Sequence, residues 1–486
     1  MATIPFDRER TRRQTTIGWR TRVALVVVIA ALFGRSAVAQ DVTPAQDAPT
    51  DIRDLSELGL EDLLHVKVYA ASKFLQDQAQ APASVTVIRA EEIRRQGYRT
   101  LADIFRGVRG FYVTYDRDYS YVGVRGFLRP GDFNSRILLL VNGHRMNDNV
   151  FDQALLGTES PIDVSLIERV EVIRGPSSSL YGTSAFFAVV NLITRTGHAL
   201  GQTEVEVETG SQTFGRGRFA AGGRNAKGYE GLVSLTAFGS DGNSRLYYPE
   251  FDLPPSSNGV AVDADRDRGA SLFATGSRGA LTAQISIGSR AKRIPTAAFE
   301  TIFNDTRTET RDSRGFADLQ YLKQLDPRTR VDLRASYDQY DYVGHFAYES
   351  GLFLDDARGR WVTGEANVVR QIGRHGLTVG TDYRYNLRQN QSAVDESGVL
   401  LDDRRRSRSA ALFAEDEFRV GPRVLVNAGL RWDEVLRDLR RHCQSARRRH
   451  RHAAPGKHVE GNLRSRLPRA EPLRAVPTTR TRSARI

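Results

Sequence analysis

Thr203-Glu204-Val205-Glu206-Val207-Glu208-Thr209 alternates without a break: Val205 and Val207 fall on one side, and Glu204, Glu206 and Glu208 on the other. A β-strand sends successive side chains to opposite faces, so period 2 is the mark of a strand with one apolar face. The same texture recurs at Arg216–Gly222, Tyr229–Gly239, Gly269–Gly276, Leu281–Arg290, Gly315–Leu325, Thr329–Asp341, Arg360–Ile372, Leu377–Leu387, Arg408–Arg419 and Arg423–Asp433. Eleven segments of roughly ten residues, separated by Asp, Asn, Gly or Pro turns, fit the pattern of transmembrane β-barrel strands. A soluble β-sandwich also alternates. Strand length, near-regular spacing, and aromatics towards strand ends (Phe238, Tyr321, Tyr337, Tyr383, Trp432) favour the barrel.

The segment before residue 200 has a different texture. Val85–Ile88, Ile137–Val141, Ile167–Ile173 and Val189–Thr194 are apolar strand candidates, and Ala90–Gln96 and Thr100–Arg106 are short helical pieces. Thr100 with Asp103 three positions on is a capping arrangement, and Gly97 and Gly107 punctuate the helix ends. The expected fold class is therefore an all-β transmembrane β-barrel of about eleven strands, preceded by an N-terminal α+β module.

Charge is distributed unevenly. The 486 residues hold 70 Lys+Arg and 58 Asp+Glu, a formal +12. Residues 440–486 alone carry 14 basic and 2 acidic residues, so everything before them is balanced at 56 against 56. Net basicity would ordinarily raise nucleic acid as a partner, but its confinement to the ends of the chain argues for no nucleic acid. The single cysteine, Cys443, excludes an intrachain disulfide and a Cys-based metal site, and the histidines before residue 440 have no zinc-like spacing. No cofactor and no metal is expected. A Ser elbow, a phosphate loop and a metal cluster are all missing, so an exported enzyme is the weakest reading and no catalytic residue is named.

Six arginines within residues 8–22, the apolar run Val23–Phe33 and the Ala37-Val38-Ala39 cleavage site compose a secretory signal peptide over residues 1–39. Eleven apolar residues span only ~16 Å as a helix, short of a ~30 Å hydrocarbon core. A mature chain in a membrane would have to cross it as a barrel.

In order and spacing, a set of short motifs resembles the TonB-dependent receptors, gated transporters of Gram-negative outer membranes. They run from Ala81-Pro82-Ala83-Ser84-Val85-Thr86-Val87-Ile88 through Ala90-Glu91-Glu92-Ile93 and Leu101-Ala102-Asp103-Ile104-Phe105. They continue with Val124-Arg125-Gly126-Phe127, Ile137–Gly143, Ile167–Pro176, Leu180-Tyr181-Gly182 and Val190–Thr194. The resemblance implies residues 40–75 as a periplasmic segment, 76–199 as the plug and 200–433 as a partial barrel. It implies an outer-membrane receptor for energy-coupled uptake of a scarce nutrient, a ferric siderophore first and cobalamin or another large nutrient behind it. A plug acting as a stand-alone binding module is the alternative.

The resemblance also implies residue roles. Arg125 and Arg174 would lock the plug to acidic residues of the barrel wall, or else be solvated strand-end arginines. Apical plug loops at Tyr112–Tyr121, Phe127–Asn134 and Asn147–Gly157 would meet the ligand through Tyr115, Arg117, Asp118, Tyr119, Tyr121, Arg129, Asn149 and Phe151, unless the tyrosines simply brace the loop. Val66-Lys67-Val68-Tyr69-Ala70 would be the TonB box, captured by strand addition, although it departs from the usual Thr-Val-Thr-Val type. The implied partners are the TonB-ExbB-ExbD complex, outer-membrane lipid and a small extracellular ligand.

Residues 434–486 are expected to be a basic, non-native tail: from Arg440 on there is no alternation, and 13 of the 47 residues are Arg. Out-of-frame translation is the expected origin of this tail. Half a barrel would leave two unpaired edges in lipid, so failed membrane assembly is expected unless a second chain or fragment completes it.

Overall fold

The computed structural model describes residues 67–68, 76–77 and 84–438, apart from 129–130, 176–177, 183, 256 and 422–423. Two short strands, β1 (Lys67–Val68) and β2 (Gln76–Asp77), pair antiparallel. The plug follows: β3 (Ser84–Arg89), α1 (Ala90–Gln96), α2 (Leu101–Arg106), β4 (Phe111–Tyr115), β5 (Ser120–Val124), β6 (Ile137–Val141), β7 (His144–Arg145), β8 (Ile167–Arg174), α3 (Ser178–Tyr181), β9 (Ala188–Thr194) and α4 (Gly197–Leu200).

The plug sheet has the order β3-β8-β9-β6-β7. Its β6 is apolar at every position and pairs parallel with β9, so it is buried on both faces. Ile137, Leu139 and Val141 join Leu101, Ile104, Phe105, Val170, Val172 and Val190 in the main core. Leu138 and Leu140 face the other way, onto Ile173, Ala185 and Val189. The Thr100–Asp103 capping box forms at α2 as the sequence predicts.

A single antiparallel sheet then runs through β10 (Thr203–Gly210), β11 (Phe214–Arg224), β12 (Tyr229–Ser240), β15 (Asp267–Arg278), β16 (Leu281–Arg293), β17 (Glu309–Asp326), β18 (Thr329–Tyr348), β19 (Gly351–Ile372), β20 (His375–Asp395), β21 (Gly398–Gly421) and β22 (Val424–Asp438). These eleven strands coincide with the eleven alternating segments. Strands β10 and β22 have one sheet neighbour each among the described residues. A separate hairpin, β13 (Arg245–Leu253) with β14 (Ser257–Val262), rises between β12 and β15.

The strands outgrow their sequence signals at one end only. At the other end they close in short turns, as between Asp326 and Thr329 and between Ile372 and His375. Short turns mark the periplasmic rim of such sheets and long excursions the outer one. Among the described residues no helix is long and apolar enough to cross a membrane; the apolar belt lies on the strands. Leu281, Ile285, Ile287, Leu319, Leu333, Val379, Leu412 and Leu430 face outward and exposed; along their own strands Tyr321 lies nearer the short turns than Leu319, while Tyr337, Tyr383 and Trp432 lie farther from them than Leu333, Val379 and Leu430. An apolar band between aromatic girdles is what a strand surface facing lipid requires.

Candidate functional site: the seat of the plug

Strand β16 shows how one sequence pattern makes both surfaces. Leu281, Ile285 and Ile287 point out, while Gln284, Ser286, Gly288, Arg290 and Lys292 alternate with them and are buried on the inner side. Each of these inward residues meets a partner. Gln284 accepts a bond from Asn142 at 3.0 Å, Ser286 donates to the Pro161 carbonyl at 3.4 Å, and Arg290 donates to the Asp118 carbonyl at 2.7 Å. Gly288 lies against Pro161 so closely that a Cβ there would sit 2.7 Å from the Pro161 Cα.

Three groups of charges carry most of the seat. In the first, Arg290 faces Asp118 at 3.3 Å and Asp267 at 3.1 Å, with Glu159 at 3.9 Å. Thr310 donates to Asp118 at 2.8 Å, and Tyr119 donates to Asp312 at 2.8 Å. Burial pushes the Asp118 carboxyl up to about 7, with Arg290 and Thr310 opposing it.

The second group centres on His144, at the end of the tight turn opened by Gly143 (φ 82°) after β6. Its imidazole lies 3.0 Å from Asp338 and 3.5 Å from Asp318 and stacks on Phe316. Arg314 and Arg334 pair with the same two carboxylates at 2.6 and 3.4 Å. Burial alone would lower the His144 pKa, but the flanking carboxylates of Asp338 and Asp318 outweigh it and the pKa is raised.

In the third, Arg216 of β11 donates to both oxygens of Asp163 at 2.7 Å, and Thr236 donates to the same carboxylate. Burial would raise the Asp163 pKa, but Arg216 wins and holds it below the usual carboxylate range.

Contacts from β11 round to β22, where Arg431 donates to the Leu180 carbonyl at 3.3 Å, wrap the large sheet around the plug. Ion pairs and hydrogen bonds line most of this interface, and a smaller apolar contact completes it, where Ala220, Leu232, Phe273 and Phe316 of the wall join the plug core.

The apical loops are knitted by buried polar side chains. Asn134 spans Ser120, Val122 and Ala154, and Asn147 spans Ile137, Leu139 and Asp152. Asp148 accepts from the backbone N–H groups of Val150, Phe151 and Gln153, which shapes the loop that follows β7.

The sequence-predicted ligand residues divide accordingly. The expected loop Tyr112–Tyr121 is largely the β4–β5 hairpin. At its tip Tyr115 is exposed, Tyr121 donates to Asp116, and Arg117, at φ 75°, approaches Asp265 at 3.6 Å. Asp118 and Tyr119 instead turn inward and are buried on the wall, because Arg290, Thr310 and Asp312 supply the partners that a carboxylate and a phenol need once out of water. Asn149 is also tied to the wall, donating to Asn386 and to the Arg388 carbonyl. Phe151 stacks on Phe133 and meets Tyr340 and Tyr342 edge-on. Arg129 lies outside the described residues, as do Val66, Tyr69 and Ala70.

Nor do Arg125 and Arg174 make the plug–wall ion pairs described here. Arg174 donates to the Arg109 carbonyl and to Thr86, both within the plug, and Arg125 is exposed at φ 54°. Sequence reasoning missed His144, Asp163, Arg216, Arg290 and Arg314. The one available signal was polar residues alternating with apolar ones on the inward face of a membrane strand. Among the described residues no group of three His, Cys, Asp or Glu is placed to hold a metal ion.

The family model for the TonB-dependent receptor plug domain matches residues 77–189, and that for the TonB-dependent receptor-like β-barrel matches residues 205–453. The vitamin B12 transporter BtuB of Photobacterium profundum is 31% identical over 355 residues, covering 71% of this chain and 53% of that protein. The iron-regulated outer membrane virulence protein of Vibrio cholerae is 31% identical over 180 residues, covering 36% of this chain and 24% of that protein. Among solved structures, the ferric yersiniabactin uptake receptor FyuA of Yersinia pestis superposes with a TM-score of 0.58 at 15% identity, covering 73% of this chain and 56% of that one. The ferric citrate transporter FecA superposes at 0.56 with 16% identity, covering 77% and 59%. The chain thus spans from a quarter to about half of the length of these curated relatives.

Proposed function

Because the chain belongs to the TonB-dependent receptor family, whose members are outer-membrane proteins, we propose that it serves energy-coupled uptake of a scarce nutrient, a ferric siderophore in the first instance. The observation that carries this reading is the polar seat. A plug held by His144, Asp118 and Asp163 exchanges protein partners for water when it is drawn out, whereas an apolar interface would expose hydrocarbon at roughly 25 cal/mol per Å². Such a plug is firmly placed at rest and removable under load.

TonB, energised by ExbB and ExbD, is the proposed source of that load, acting through Val66–Ala70. The extended pair of Lys67–Val68 with Gln76–Asp77 supports this, since a strand already extended is ready for strand addition. Export would be directed by the signal peptide of residues 1–39. The proposed roles of the outer surface are ligand contact through Tyr115, Arg117 and Tyr121 at the hairpin tip. The BtuB match, which reaches across 71% of the chain, favours cobalamin as a second reading.

The test is uptake in cells lacking their own receptors, with radio-iron siderophores and cyanocobalamin offered separately, with and without TonB. TonB-dependent accumulation of one of them supports the reading; accumulation of none, from a chain present in the outer membrane, refutes it.

A further inference from the structure

Among the described residues every buried Arg and Lys has a carboxylate partner. Arg218 has Glu204, Arg290 has Asp267, Lys292 has Asp265, Arg314 has Asp338, Arg334 has Asp318 and Arg431 has Asp382. Arg384 has no such partner. It sits on the inward face of β20, partly buried, and among the described residues it makes neither a salt bridge nor a side-chain hydrogen bond.

Arg384 lines a cavity of about 520 Å³ between the plug and strands β19 to β22. Its strongest charged neighbour is another cation, Arg145 of the plug, while Asp152, Asp338 and Glu365 act on it from beyond contact. Arg145 gives one Nη to Asp152 at 2.9 Å, and its Nε is buried without a partner.

A guanidinium cannot shed its proton to escape an unfavourable site, and one held partly out of water beside another cation is favoured by a counter-charge. Its planar fork of donors is matched by an oxyanion that accepts two parallel bonds. A cavity of this size is in the range that holds a small-molecule ligand. We propose that Arg384, with Arg145 beside it, is a subsite for an oxyanion group of the transported ligand, specifically a carboxylate of a polyanionic small molecule. This rests on the receptor reading, and names the chemical class that the receptor accepts.

The geometry also sets an order of events. The ligand's anion would enter between the plug loop at Asp148–Asp152 and the wall, and so would join the plug to β20 at a place where no direct salt bridge does. Arg405, paired with Asp403, and Arg406 line the same cavity, as do the carboxylates of Asp148, Asp152, Glu365, Asp382 and Asp433, so the open anion position is the one at Arg384 and Arg145.

The experiment is calorimetric titration of the full chain in detergent micelles with citrate and, separately, with inorganic phosphate. Citrate is expected to bind more tightly than phosphate, because only it can present carboxylates to both arginines. Arg384→Gln is expected to weaken citrate by about tenfold or more, the loss of a charge-assisted bidentate contact. Arg384→Lys, which keeps the charge and loses the fork, is expected to fall between them, and it remains informative if the Gln variant fails to fold. Arg358→Gln, on an outer arginine already paired with Asp356, is expected to leave the affinity unchanged. Equal citrate affinity in the wild type and Arg384 variants, phosphate binding as tightly as citrate, or no anion binding would each overturn the carboxylate subsite. TonB-dependent uptake of an uncharged nutrient would survive all three results, which separates failure of the subsite from failure of the receptor reading.

Discussion

The His144 imidazole of the plug lies 3.0 Å from Asp338 on β18 and 3.5 Å from Asp318 on β17, so one side chain ties two neighbouring wall strands to the plug. Asp318 and Asp338 also take Arg334 and Arg314, which makes a five-membered charge cluster with His144 at its centre. Its pKa is raised above 6.5 because the carboxylates outweigh burial. Protonated His144 therefore contributes fully below its unfolded pKa, and that contribution is lost as pH rises through the folded value. The protection factor of plug amides, corrected for the intrinsic rise of exchange with pH, is expected to fall as pH climbs past the ordinary imidazole range, and His144→Gln to flatten that profile. A profile identical in both proteins would contradict the assignment.

Arg290 is the common partner of three plug and wall carboxylates, Asp118, Glu159 and Asp267. Removing one side of a buried ion pair strands the other, at a cost of about 3–5 kcal/mol. Arg290→Met is expected to lower plug protection by that order in denaturant titrations. Asp118→Asn in the same background is expected to restore part of the loss, because a neutral amide tolerates the site that has already pushed the Asp118 carboxyl up to about 7. Additive losses in the double variant would argue that the two residues do not interact.

A steric contact offers a test that touches no charge. Gly288 of β16 lies under Pro161, and a Cβ would meet its Cα at 2.7 Å. Gly288→Val is expected to cost about 1–3 kcal/mol through overpacking, read as faster proteolysis of the plug with the strand signature in circular dichroism retained. Unchanged proteolysis would mean that the plug does not rest on β16 there.

The outward face makes the membrane prediction. Ile285 lies in the apolar belt, 46% exposed, and Val399, 68% exposed, stands at the β20–β21 tip beyond it. Arginine on the lipid face costs about 2–4 kcal/mol at the midplane and close to nothing outside it. Ile285→Arg is expected to reduce insertion into vesicles, and Val399→Arg to leave it alone. Equal insertion would place the belt elsewhere.

The large sheet was legible because each membrane-depth strand must be apolar on one face, as in Leu281–Ile287, where the alternation is unbroken. The outer extensions were not, because both faces of Asp402–Arg406 are charged and carry no period. The β13–β14 hairpin escaped for a similar reason: Arg245-Leu246-Tyr247-Tyr248-Pro249-Glu250 mixes aromatics and charge without alternation. The capping box at Thr100 was legible because its two residues are local. Asp118 and Tyr119 were assigned to an outward loop because their partners, Arg290, Thr310 and Asp312, lie more than 170 residues downstream. Which face of a loop meets a wall is decided by strand order and register, and no local pattern encodes either.

The most direct test of a removable, polar-seated plug is to make it irremovable. Ser286 donates to the Pro161 carbonyl across the seat, so Ser286→Cys with Pro161→Cys, bridged by a short disulfide-containing thiol crosslinker, offers a reducible tether at two residues that take part in no ion pair. TonB-dependent uptake of the radio-iron siderophores or cyanocobalamin would be measured in cells before and after reduction. The account predicts no uptake while the tether is oxidised and recovery when it is reduced. Equal uptake in both states, from a chain whose tether has formed, would contradict it.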